Sequence, residues 1–160
     1  MSETEARSGN KMSDYFSESD LLKIKEAVAE AEANTSGEIR VVIRSRYSED
    51  LQGDIHAQAK HEFAKYGLGN TRDKTGVLIL LVMSTREFRI IGDIGIYAKV
   101  GRDYWDLLAG WLTTHFKEGN YVLGICKVVD EVGKGLAAHF PKKSDDTNEL
   151  SDDVIVEDEK

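Results

Sequence analysis

Hydrophobic residues along this chain alternate between helical spacing and short unbroken runs. Leu21, Ile24, Val28 and Ala31 recur every three or four residues behind Ser17 and Asp20, a capping pair, and predict a helix ending near Asn34. Ser36-Gly37 breaks it, and Ile39, Val41, Val42 and Ile43 follow as a β-branched run too short for a helix. Ile55, Ala59, Phe63 and Tyr66 form a second helical face within 53–66, closed by Gly67 and Gly69. Val77 to Met83 is apolar throughout, the pattern of a central strand covered on both faces. The polar residues 84–87 then lead into Phe88, Arg89, Ile90 and Ile91, a returning strand that makes a hairpin. Gly92-Asp93-Ile94-Gly95 interrupts this strand pattern, as at a bulge or where backbone approaches a ligand closely.

Beyond it, Tyr104, Leu107, Leu108, Trp111 and Leu112 predict a helix running to about Phe116. Tyr121, Ile125, Val128, Val129, Val132 and Leu136 line a last one ending at His139-Phe140-Pro141. The order α-β-α-β-β-α-α makes the first two strands parallel, joined by a right-handed crossover, with the third antiparallel to the second. The expected fold is an α/β sandwich, a small mixed sheet covered by helices.

Composition divides the chain into three. Residues 1–15 contain little that is apolar and are expected to be a disordered tail; residues 16–141 form the domain. Residues 142–160 hold eight acids against three lysines, net −5 of the chain's −8, and are expected to be a flexible acidic tail. Its Val154, Ile155 and Val156 are the only candidates for local docking. The negative balance, with no basic patch, argues against nucleic acid and anionic membrane surfaces. No apolar run reaches the roughly 18 residues of a membrane span. The N-terminus lacks the features of a signal peptide, and Cys126 is the only cysteine, so an intrachain disulfide and Cys-based zinc sites are excluded. These features point to the cytoplasm.

Topology adds what composition cannot. Glu38 precedes the first strand, Asp73 precedes the second, and the end of the third, at Asp93, returns to that same edge with Asp103 one loop further on. Clustered carboxylates repel unless they share a proton or bind a cation, so this edge is a candidate site for Ca²⁺ or Mg²⁺. The same residues also read as two turn positions, a helix cap and a solvated strand start. Elsewhere, His56 and His61 lack metalloprotease spacing, no nucleophile elbow occurs, and Gly67-Leu68-Gly69 reads as a helix stop. Cys126 reads as a core or boundary thiol. Trp111 falls on the core stripe, with Trp105 to its side, where it could line a pocket.

The run Gly67-Leu68-Gly69, then residues 73–81 (DKTGVLILL), 86–90 (REFRI), 92–96 (GDIGI) and 116–121 (FKEGNY), resembles the TPM domain over about residues 17–141. The His139-Phe140-Pro141 end and acidic tail are similar to its short, stand-alone bacterial members. The resemblance implies a Rossmann-like sandwich, divalent-metal binding and, in some members, phosphatase or nucleotide hydrolysis. It places the family's acidic positions on Asp73 and Asp103. Two functions follow as expectations. One is a metal-dependent hydrolase of phosphate esters or nucleotides, with Asp73, Asp93, Asp103 and Glu38 at the metal and Arg86 and Arg102 at the substrate. The other is a noncatalytic Ca²⁺-binding or protein-interaction module, favoured by the absence of a visible nucleophile and phosphate cradle.

Overall fold

A computed structural model describes residues 12–142 and 154–157. Its elements are α1 (Glu18–Glu32), β1 (Glu38–Arg44), α2 (Ile55–Lys65), β2 (Gly76–Val82), β3 (Glu87–Gly92), α3 (Ile94–Val100), α4 (Arg102–Lys117), α5 (Tyr121–His139) and β4 (Ile155–Glu157). The Ser17 hydroxyl accepts from Asp20 N at 3.0 Å while the Asp20 carboxylate accepts from Ser17 N at 2.9 Å, so the predicted capping pair starts α1.

The sheet order is β3-β2-β1-β4. β1 and β2 run parallel from Glu38 opposite Gly76 to Arg44 opposite Val82, and β3 returns antiparallel with Gly92 opposite Val77. On one face Ile39, Val41, Ile43, Val77, Ile79 and Leu81 pack against α1, α4 and α5. On the other, Val42, Leu78, Leu80 and Val82 lie under α2 and Leu68. Both central strands are thus buried at every residue; β2 is continuously apolar rather than alternating, while β1 buries Glu38, Arg40 and Arg44 among its apolar residues. The fold is the expected mixed α/β sandwich.

Several local expectations change. The glycine-rich interruption is the end of β3 followed by α3, a helix whose two isoleucines, Ile94 and Ile96, are too closely spaced to show helical periodicity. A Cβ on Gly95 would lie 2.2 Å from the Asp73 carbonyl oxygen and 2.5 Å from that of Lys74. The close approach anticipated there is real, but its partner is the chain's own backbone. Inside the acidic segment expected to be flexible, β4 pairs parallel with β1, Ile155 opposite Val42 and Glu157 opposite Arg44. At these positions the chain is held by the sheet, because Ile155 and Val156 add to the two hydrophobic faces. Near the other end Met12 is already buried, so packing begins ahead of Phe16.

Trp111 packs against the core as expected and Trp105 lines a cleft, but Trp105 is the more deeply buried of the two. Trp105 is 8% exposed, whereas Trp111 is half-buried with the Lys127 ammonium 4.5 Å above its ring. Cys126 is half-buried, and burial pushes its thiol up, as a boundary residue requires. Among the described residues no helix is long and apolar enough to cross a membrane.

Candidate functional site

Three chain segments converge where β1 and β2 begin and β3 ends. Glu38 N donates to Thr75 O at 3.3 Å, Asp93 N to Gly76 O at 2.8 Å, and Ile96 N to Lys74 O at 3.3 Å. The loop between α2 and β2 is shaped for this meeting. Lys74 adopts φ 58, and the Thr71 hydroxyl accepts from Thr75 N at 3.0 Å. Gly76 is obligatory, since a Cβ there would sit 2.4 Å from Leu68 O.

The backbone edge deduced from topology therefore exists, but it does not bring all four carboxylates together. Among the described residues no three His, Cys, Asp or Glu side chains assemble into a group that could hold a metal ion. Asp103 lies beyond α3, about 10 Å of helix further on, exposed at the start of α4, which packs on the opposite face from α2. Asp73 is partly exposed, with Oδ2 3.9 Å from Arg72 Nε. Glu38 is buried at 3% exposure. Asp93 caps α3, its Oδ1 accepting from Ile94 N at 2.8 Å, while its Oδ2 is shielded from solvent without a hydrogen-bond partner. The Ser36 hydroxyl is likewise shielded and unpartnered.

The two arginines assigned to substrate separate. Arg102 is exposed near this edge and lines a cleft with Gly92, Tyr97 and Trp105. Arg86 sits in the β2–β3 turn at the far end of the sheet, roughly 20 Å away by strand length. There it is a structural pin: its Nε donates to the Tyr121 hydroxyl at 3.2 Å, its Nη1 donates to Met83 O, and its guanidinium lies 4.6 Å from the centre of the Tyr15 ring.

A second polar centre escapes the sequence reading. Arg44, 2% exposed, reaches Glu62 Oε2 at 3.1 Å and Glu157 Oε1 at 2.7 Å; Lys65 and the Tyr66 hydroxyl also bond Glu157. Gln58 donates to Glu62 at 2.6 Å. Burial pushes the Glu62 carboxyl up, reinforced by its hydrogen bond with Glu157. Burial acts upward on Glu157 too, but hydrogen bonds from Tyr66 and Glu62 and the charges of Arg44 and Lys65 hold it below the usual carboxylate range. The two acids around one arginine are thus pushed in opposite directions. Arg44 closes a β-branched run and Gln58 and Glu62 are four apart on α2, a legible hint; Glu157 gives none.

The model of the TPM domain matches residues 10–135 of this chain. The NMR structure of the BA42 protein from the psychrophilic bacterium Bizionia argentinensis is 34% identical, with a TM-score of 0.81, and the match covers 91% of this chain and 98% of that one. The N-terminal domain of a P. gingivalis protein shares 20% identity at a TM-score of 0.61 over 81% of each chain. The N-terminal domain of cg2496 from Corynebacterium glutamicum shares 18% at 0.58, covering 78% of this chain and 76% of that one. These last two share the fold. No protein of curated function matches. With the family model spanning most of the sandwich and its edge, the chain belongs to the TPM domain family.

Proposed function

We propose that the edge formed by residues 36–38, 73–76 and 92–96 binds a divalent cation that seeks hard oxygen ligands, Ca²⁺ or Mg²⁺. The observation that carries this reading is Asp93 Oδ2, a carboxylate oxygen removed from water and left without a partner. Such an oxygen costs free energy unless a cation or a proton meets it. Since no trio of acidic side chains assembles here, main-chain carbonyls and water would complete the shell around Asp93 and Asp73. Calcium tolerates that mixture more readily than transition metals do.

The reading adopted is binding rather than turnover. The Ser36 hydroxyl at this edge has no hydrogen-bond partner and hence no base to take its proton. Metal-dependent hydrolysis of phosphate esters is the second reading, favoured by exposed Arg102 in the adjoining cleft. Titrating backbone amide signals with each ion tests the first: saturable shifts are expected at 36–38, 73–76 and 92–96, with none at 84–87. Asp93→Asn retains a capping oxygen while removing the charge and is expected to weaken binding by about tenfold or more. Unchanged affinity in that variant overturns the site. Turnover of p-nitrophenyl phosphate that the ion stimulates and Asp93→Asn abolishes would establish the second reading.

A further inference from the structure

From the geometry of the free β3 edge we infer that this edge is a docking site for an extended acidic segment of a partner protein, which adds to the sheet as a fifth strand. The inference is independent of the cation site. Asp93 N bonds Gly76 O, so the antiparallel pattern continues through Ile91, Arg89 and Glu87 as the residues hydrogen-bonded to β2. Phe88, Ile90 and Gly92 consequently turn their N–H and C=O groups outward. Among the described residues nothing hydrogen-bonds to them. A row of unpaired backbone groups is a template for strand addition.

The edge is not flat surface but the floor of a cleft of about 570 Å³, walled by α2 on one side and by α3 and α4 on the other. Its walls differ in chemistry. On the α2 side stand His56 and Lys60, joined by Arg89, which shares the face of Ile91. All three are exposed. Among the described residues no carboxylate pairs with Lys60 or Arg89, nor with Arg102 at the cleft's end. On the other side Trp105 and Tyr97 stack at 6.0 Å, and Phe88 and Ala109 complete an apolar strip beside Asp106. Side chains of an added strand alternate between these two walls. The matching segment therefore alternates acidic with apolar residues. That charge preference runs against a chain of net charge −8, so it is a local property of the cleft.

The molecule already shows this mode of binding on its opposite edge. There a short strand of the type Val-Ile-Val-Glu adds to β1 and places its acid, Glu157, against Arg44 and Lys65. At the β3 edge Arg89 and Lys60 offer the corresponding cations to a strand from elsewhere.

The test is titration of the full chain with a short, end-blocked peptide of alternating Val and Glu, followed by amide signals. Saturable shifts are expected at Phe88, Ile90 and Gly92 and at the Trp105 indole N–H. A Val-Lys peptide is expected to leave them unmoved. Methylating the peptide's backbone nitrogens on its pairing side is expected to abolish binding, because the strand then loses its donors. The Lys60→Glu, Arg89→Glu double variant changes two exposed residues; it is expected to weaken the Val-Glu peptide at least about tenfold and to gain affinity for the Val-Lys peptide. The inference is overturned if the β3 signals do not move up to about 1 mM peptide. It is also overturned if the methylated or Val-Lys peptide binds as well, or if inorganic phosphate or ATP alone reproduces the shifts, which would make the cleft a small-anion site.

Discussion

At the β1 edge a strand of three residues is fastened by Glu157, whose carboxylate meets Arg44, Lys65 and Tyr66; at the β3 edge Phe88, Ile90 and Gly92 face a cleft with their backbone groups unpaired. Both edges carry cations on the α2 side, Arg44 and Lys65 at one and Arg89 and Lys60 at the other. The difference is that the chain supplies its own acid to the first. There Arg44 is buried with its acid and becomes part of stability, whereas at the second the cations stay in water and are available for recognition. One sheet thus shows the same chemistry used for closure and left open.

The sharpest way to break this contrast is to remove the buried cation. Arg44→Ala leaves buried Glu62 without its cation and Glu157 with Lys65 alone, and is expected to cost about 3–5 kcal/mol in urea unfolding, with β4 lost from the sheet. Arg44→Met, which keeps volume but not charge, is expected to cost as much while both acids remain, and less when combined with Glu62→Gln. Glu157→Gln keeps the shape of the latch while removing its charge. It is expected to cost about 1–3 kcal/mol and to speed amide exchange in residues 42–45, which lie beside β4.

The same pair makes stability depend on pH in two opposing ways. Glu157, held below the ordinary carboxylate value, contributes stability that is present above its unfolded pKa and is lost as pH falls through its depressed folded value. Glu62, pushed upward, favours the fold in its protonated form, and that contribution is lost as pH rises through its raised value. Glu157→Gln is therefore expected to flatten the acid limb of a stability–pH curve, and Glu62→Gln the limb above the usual carboxylate range. Smallest of all is the open edge: Lys60→Glu with Arg89→Glu is expected to move stability by less than about 0.5 kcal/mol, since both side chains are solvated. A large loss there would erase the distinction between the edges.

How far these features are legible in the sequence depends on range. Val77–Met83 announces itself because a strand buried on both faces needs no polar residue, and Ser17-Asp20 announces α1 through a local bond pattern. The convergence of residues 38, 73–76 and 93 is also legible, because parallel and antiparallel connections dictate which loops share an edge. Side-chain placement is not. Asp103 is displaced by α3, whose seven residues are too few for a periodicity to emerge. The Arg44 centre draws on partners 18 and 113 residues away, and three strand residues among many acids carry no signal above their surroundings. Trp105 against Trp111 turns on the rotation of one helix, which spacing alone leaves undetermined.

The parallel pairing of β4 with β1 also governs the order of events during synthesis. Arg44 is made long before Glu157, and at roughly 5–20 residues per second their separation of 113 residues leaves an interval of several seconds or more. For that time a nascent sandwich has both ends of its sheet unsheltered and an arginine lacking one of its carboxylates. The growing chain is then most exposed to pairing with a neighbour on the same message. The arrival of Glu157 ends that exposure at one side.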